Sequence, residues 1–183
     1  MGKILLLNTG PAGLLAKSAE AAAGRIAEYN VSMVYTCPVP GAGETARIIA
    51  GSAPVECLPG FTGKVAGFWK DLEAGEGSSP DCPVSGVPRR AELDLPFNEG
   101  IEGLRSRLET AFTQIAEKHR KETVAVVSQR ALTVIMILHL LHMNNSHYLQ
   151  IAQENGAVNL FETRGGIPSA LYINDTCHLH GLI

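Results

Sequence analysis

The chain has 183 residues, an ordinary apolar content of 45% and a formal net charge of −3. That length suits one compact domain over 1–183 with a core of its own, and the mild charge, with no basic stripe, excludes the electrostatic footprint of nucleic-acid binding. The apolar run near the N-terminus, Ile4 to Leu7, is far too short for a membrane span and lacks the pattern of a signal peptide, so no membrane association and a cytoplasmic location are expected.

Strand and helix patterns then alternate along the chain. Lys3 to Asn8 reads as a buried strand that runs through Thr9 into a turn at Gly10, and Gly13 to Tyr29, rich in Ala, Leu, Lys and Glu, reads as a helix. Val31 to Thr36 is a second strand, Cys37 to Gly41 a breaker cluster and Ala42 to Ala50 a helix. Pro54 to Leu58 is a short strand and Lys64 to Glu73 a helical stretch. Gly75 to Pro96, rich in Gly, Ser and Pro, reads as a long excursion from the core, a length of loop that is usually functional or mobile. Glu99 to His119 has helical spacing through Ile101, Leu104, Leu108, Phe112 and Ile115. Thr123 to Val127 is the clearest buried strand, Ala131 to Leu141 a strongly apolar helix, and Ala157 to Phe161 and Ala170 to Ile173 are late strands. The alternation predicts an α/β fold, a mostly parallel sheet covered by helices on both faces. In such a sheet the binding crevice lies beyond the carboxyl ends of the strands, where Asn8-Thr9-Gly10, Thr36-Cys37 and Ser128-Gln129 fall.

Several familiar motifs fail. Cys37, Cys57, Cys82 and Cys177 are scattered without a C-x-x-C pair and read as reduced thiols. The six histidines form no H-E-x-x-H pattern, and His139, His142, His178 and His180 read as packing or surface residues, so neither a metal nor another cofactor is expected. Lys17-Ser18 invites a phosphate-loop reading, but the two glycines it requires would stand at Pro11 and Ala16. Cys37 opens a loop before a helix, which favours a thiolate. A cysteine phosphatase wants an arginine six residues later, and position 43 is Gly, so Cys37 reads as a small, partly buried thiol rather than a nucleophile.

One pattern spreads over almost the whole chain. Ile4 to Gly10 occupies the place of a strand followed by R-H-G, and Val34-Tyr35-Thr36-Cys37-Pro38 with Glu44-Thr45-Ala46 follows the form "iysSpl.RA..TA". Phe61 to Gly67 resembles "fG.weG", Glu99 stands eight residues before Arg107 as in "GES…R", Val126 to Gln129 falls where "vvsH" would stand, and Asn155 to Leu160 matches "n.s...l". In order and spacing this resembles the histidine phosphatase superfamily, and it implies a three-layer α/β/α sandwich of the phosphoglycerate mutase-like kind. In that family the first histidine attacks phosphorus, two arginines and a second histidine hold the phosphoryl oxygens, and a carboxylic acid protonates the leaving group.

Residue by residue, the resemblance places Asn8 at the first arginine, Thr9 at the nucleophile, Gly41 at the second arginine and Gln129 at the second histidine, and retains only Gly10 and the acid Glu99. Phosphoryl transfer depends on positioned cationic groups. Asn8 and Gln129 supply hydrogen bonds without charge, and loss of one key donor commonly costs about 3–4 kcal/mol of transition-state stabilisation. Thr9 needs an adjacent base, which Gln129 cannot be. Arg130 brings charge next to Gln129 or serves in a surface ion pair, and Glu99 is either the inherited acid or a helix-start residue favoured by the dipole. The expectation is a catalytically degenerate binding or regulatory module with a neutral polar crevice formed by Asn8, Thr9, Gly10, Gly41, Glu99, Gln129 and Arg130. The alternative is a phosphatase or phosphotransferase acting on a small phosphorylated metabolite through a rearranged site. A small anionic ligand or a protein partner is expected, and the sequence assigns no oligomeric state.

Overall fold

The computed structural model of the chain describes residues 2–9, 15–38, 41–58, 61, 101–164 and 167–182. Gly10, Glu99, the 64–73 helix and the 75–96 excursion lie outside the described residues.

β1 (Gly2–Asn8), β2 (Val31–Thr36) and β4 (Thr123–Ser128) are the centre of the sheet. Their apolar runs suit strands covered on both faces, and Leu5, Leu6, Val34, Ala125, Val126 and Val127 are completely buried. β3 (Val55–Cys57) is a short edge strand, while β5 (Val158–Arg164) and β6 (Ile167–Asp175) form the other side. The order across the six strands is β3-β2-β4-β1-β5-β6. β1, β2, β3 and β4 run parallel, whereas β5 pairs antiparallel with β1 and β6 antiparallel with β5.

Four helices cover the sheet among the described residues. α1 (Leu15–Ile26) buries Ser18, Ala19, Ala22 and Ile26, a stripe at helical spacing in an alanine-rich segment. It packs against α2 (Ala42–Ala50), which buries Ala42, Thr45, Ala46 and Ile49. α3 (Ile101–Lys118) turns Leu104, Leu108, Phe112 and Ile115 inward. It packs on α4 (Arg130–Leu140), whose residues are buried all round apart from Arg130 and His139, as its continuous apolar sequence requires. The α/β/α architecture expected from the sequence is therefore present.

The predicted boundaries of β2 and α2 hold to the residue, and those of β1, β3, α3, β4 and α4 to within two residues over the described part. The late strands differ. Ile167–Asp175 is longer than the predicted 170–173, and its pairing with β5 shifts register between Val158 and Leu160 and again between Leu160 and Phe161. Such bulges twist an exposed edge away from further pairing, and they erase the alternation by which a strand is read.

Candidate active-site crevice

The parallel register brings the predicted strand ends into one row. Asn8 pairs with Ser128, and Thr36 pairs with Val127 on the other side of β4. Beyond the last pairs, the Thr9 N–H donates to Ser128 O at 3.2 Å and the Cys37 N–H to Val127 O at 3.1 Å. The start of β5 closes the row, because the Gly156 N–H donates to Thr9 O at 3.0 Å and the Asn8 N–H to Ala157 O at 3.0 Å. Thr9 and Gln129 therefore leave adjacent strands side by side, at the position where this fold places ligands.

Asn8 is 2% exposed, and its side chain is committed within the protein. Its Nδ2 donates to Gln153 Oε1 at 2.9 Å and to Glu154 O at 2.9 Å. Gln153 in turn forms a reciprocal amide pair with Asn159: Nε2 donates to Asn159 Oδ1 at 2.7 Å, and Asn159 Nδ2 returns a bond to Oε1 at 3.0 Å. Asn159 also donates to Leu6 O at 3.0 Å and accepts the Asn174 N–H at 2.8 Å. Backbone groups can play only one role, so Leu6 O, Glu154 O and the Asn174 N–H fix the orientation of all three amides. The one atom left over is Asn8 Oδ1, buried without a hydrogen-bond partner. Both amide hydrogens of Asn8 are spent, and what remains is an acceptor.

Thr9 and Gln129 differ from Asn8. Both are half-buried, and neither side chain hydrogen-bonds to a described residue. Gln129 is the N-cap of α4 in extended conformation but makes no side-chain cap. The Ser128 and Thr133 hydroxyls meet each other at 2.8 Å, and the Thr133 N–H closes the first turn on Gln129 O at 3.0 Å. Gln129 thus carries an amide without a described side-chain partner at a helix end that carries partial positive charge. Arg130 follows in the first turn of α4, half-buried, with no acidic residue in that turn. Its charge reaches the Tyr148 hydroxyl, which burial holds far above the ordinary phenol range and Arg130 draws back down.

Gly41 caps α2 with φ 86° and ψ −35°. A Cβ built there would lie 2.8 Å from Leu15 Cδ1, so only glycine holds this backbone without strain. Cys37 is 1% exposed and belongs to the core, as the small-thiol reading expects. Among the described residues no group of three His, Cys, Asp or Glu side chains could hold a metal ion. His178 holds the residue next in line: its Nε2 donates at 3.0 Å to the O of Gly156, whose N–H bonds Thr9 O, while its Nδ1 is buried without a partner.

Sequence reasoning missed Gln153 and Asn159, and it read His178 as a packing or surface residue without its bond to Gly156 O. The one signal was Asn159 itself, an amide in the otherwise apolar run from Ala157 to Phe161. Gln153 lies outside any helix or strand and His178 in a single 3-10 turn, Cys177–Leu179, and no periodicity reveals the contacts of either.

Comparison with known proteins bears on this geometry. The family model described as the histidine phosphatase superfamily (branch 1) matches residues 16–176, a span that starts in α1, after Asn8 and Thr9. A search of functionally curated proteins finds no match. Among solved structures, the phosphoserine phosphatase of Entamoeba histolytica, in complex with 3-phosphoglyceric acid, superposes with a TM-score of 0.76 at 22% identity, covering 98% of this chain and 100% of its own. YhfR of Bacillus stearothermophilus gives a TM-score of 0.73 at 14% identity, over 98% of this chain and 100% of that one. The α-ribazole phosphatase of Shigella flexneri gives 0.71 at 14% identity, over 94% and 96%. Shared order of elements, a family match over most of the chain and near-complete superposition together assign this chain to the histidine phosphatase superfamily.

Proposed function

We propose that the crevice is a ligand-binding site without the family's phosphohistidine chemistry, and that the chain acts as a binding or regulatory module. The observation that carries this reading is the Asn8 side chain. The position that the resemblance gives to a phosphate-holding arginine is taken by an amide whose two hydrogens bond Gln153 and Glu154 O. A phosphate there would meet a lone carbonyl oxygen rather than a guanidinium fork. Thr9, at the nucleophile's place, has no base in hydrogen-bond reach among the described residues. Gly41 and Gln129 supply no charge at the other two positions.

A small anion is the first candidate ligand. The Entamoeba histolytica protein of this fold holds 3-phosphoglyceric acid, and Gln129 at the start of α4 still offers a donor beside Arg130. A protein partner is the second candidate. Arg130 also favours a second reading, a phosphatase or phosphotransferase for a small phosphorylated metabolite, with Thr9, Arg130 and Glu99 as participants. Phosphate release from a panel of phosphomonoesters, including 3-phosphoglycerate and phosphoserine, separates the two. The binding reading expects release at the buffer rate from the wild type. Turnover that disappears in Thr9→Val or Gln129→Ala establishes the second reading instead.

A further inference from the structure

A second concavity lies at the opposite end of the sheet from the crevice. Here β1 and β4 begin, α3 and α4 end, and the β5–β6 hairpin turns, as Gly2, Val124, Ala116, His139 and Thr163 in its wall record. Its volume is about 660 Å³, within the range that holds small-molecule ligands. Ile4, Val124, Phe112, Ala116 and Leu140 give it an apolar floor. Arg120 and Lys121, in the turn after α3, bring two cations to its wall against one carboxylate, Glu117. Glu117 stands 3.8 Å from Arg120 with both side chains largely exposed, a weak pair. Lys121 forms no ion pair with any described residue.

The histidines of the wall divide into engaged and free. His119 lies between the Tyr35 hydroxyl and Glu122, and His139 meets Glu109 at 3.1 Å. His142, held in left-handed backbone just past α4, bonds no described side chain. Gly2 completes the wall. A Cβ there would lie 2.8 Å from Arg120 O, so glycine lets β1 start directly against the turn that carries both cations.

We infer that this cavity binds an amphipathic anion: a carboxylate on an apolar chain or ring, with the apolar body on the floor and the head against Arg120 and Lys121. This site is separate from the crevice and does not rest on the reading of it. Cations after a helix end also offset the helix dipole, a role that needs no ligand, and the test separates the two.

The test is an NMR titration of the full chain with octanoate, with 1-octanol as the uncharged counterpart. The expected result is saturable octanoate binding whose shifts cluster at Gly2, Ala116 and Lys121 and leave Thr9 and Gln129 unmoved. Arg120→Glu with Lys121→Glu should weaken it at least about tenfold, the worth of one lost charge-assisted contact, and octanol should bind correspondingly weakly. Ala116→Trp, or Thr113→Trp on the exposed rim should the first variant misfold, should abolish it by filling the space. Absence of saturable octanoate binding overturns the inference, and so does affinity unchanged by both the charge-reversal and the filling variants.

Discussion

Asn8 decides how the crevice is read. As a side chain named in a sequence it is a phosphate ligand without charge; folded, it is one corner of an amide network. The network makes an asymmetric prediction. Asn159→Ala strips the buried Gln153 Nε2 and the partly buried Asn174 N–H of their acceptor, and a buried orphan costs about 1–3 kcal/mol. Asn8→Leu leaves Gln153 Oε1 with Asn159 and Glu154 O with the Ala157 N–H, and it removes the orphaned Oδ1. Urea unfolding should therefore place Asn159→Ala about 2–4 kcal/mol below the wild type and Asn8→Leu within about 1 kcal/mol of it. Equal losses would refute the network as described. Gly41 gives a second test. Gly41→Arg, the change toward the arginine that the resemblance places there, forces a side chain into positive-φ backbone against Leu15. It should cost about 1–3 kcal/mol by the same assay; a variant as stable as the wild type would show that α2 can start another way. The identities of Thr9, Gly41 and Gln129 were legible in the sequence. The engagement of Asn8 was not, because its partners lie 145 and 146 residues away.

At the scale of elements, the late hairpin shows what local pattern conveys. β1 and β4 are buried along nearly their whole length and announce themselves as apolar runs, while β2 is buried only from Val34 to Thr36. β6 is an exposed edge with register shifts, so its alternation is broken and only its middle reads as a strand. That β5 and β6 turn the sheet antiparallel is a property of pairing, which composition does not encode. The hairpin is nonetheless tied to the helical layer, by Arg25 of α1 to Asp175 at 2.8 Å and by the Arg25 guanidinium over the Tyr172 ring at 4.9 Å. Burial alone would raise the Asp175 carboxyl, but bonds from Cys177 and Arg25 outweigh it and hold the group below its usual 3.8.

Just beyond, His178 couples this corner to pH. Burial holds its imidazole below the ordinary 6.5, against the opposing bond to Gly156 O. A folded value below the unfolded one means that the unfolded chain takes up the proton first. The contribution of His178 to stability is thus present above pH 6.5 and lost as pH falls through the folded value. Denaturant midpoints measured from about pH 7 down to about pH 5 should fall, and His178→Asn should flatten that slope. An unchanged slope in the variant would assign the titration elsewhere.

At the scale of the whole molecule, the sandwich was legible because strand and helix periods alternate along most of the chain. The adjacency of Thr9, Ser128 and Cys37 at the strand ends was legible because topology rather than sequence proximity assembles it. The family match and the superposed phosphatases concern the frame, while the proposed loss of the family chemistry rests on Asn8, Thr9, Gly41 and Gln129. The family reaction, as the resemblance has it, proceeds through a phosphorylated histidine, and the resemblance puts Thr9 and Gln129 at its two histidine positions. The most direct measurement is intact-mass spectrometry at neutral pH after incubating the protein with 3-phosphoglycerate. The expected result is a single unmodified species. A phosphoryl adduct on the wild type that vanishes in Thr9→Val or Gln129→Ala would contradict the account, because it would place covalent phosphoryl transfer in a crevice argued to have lost it.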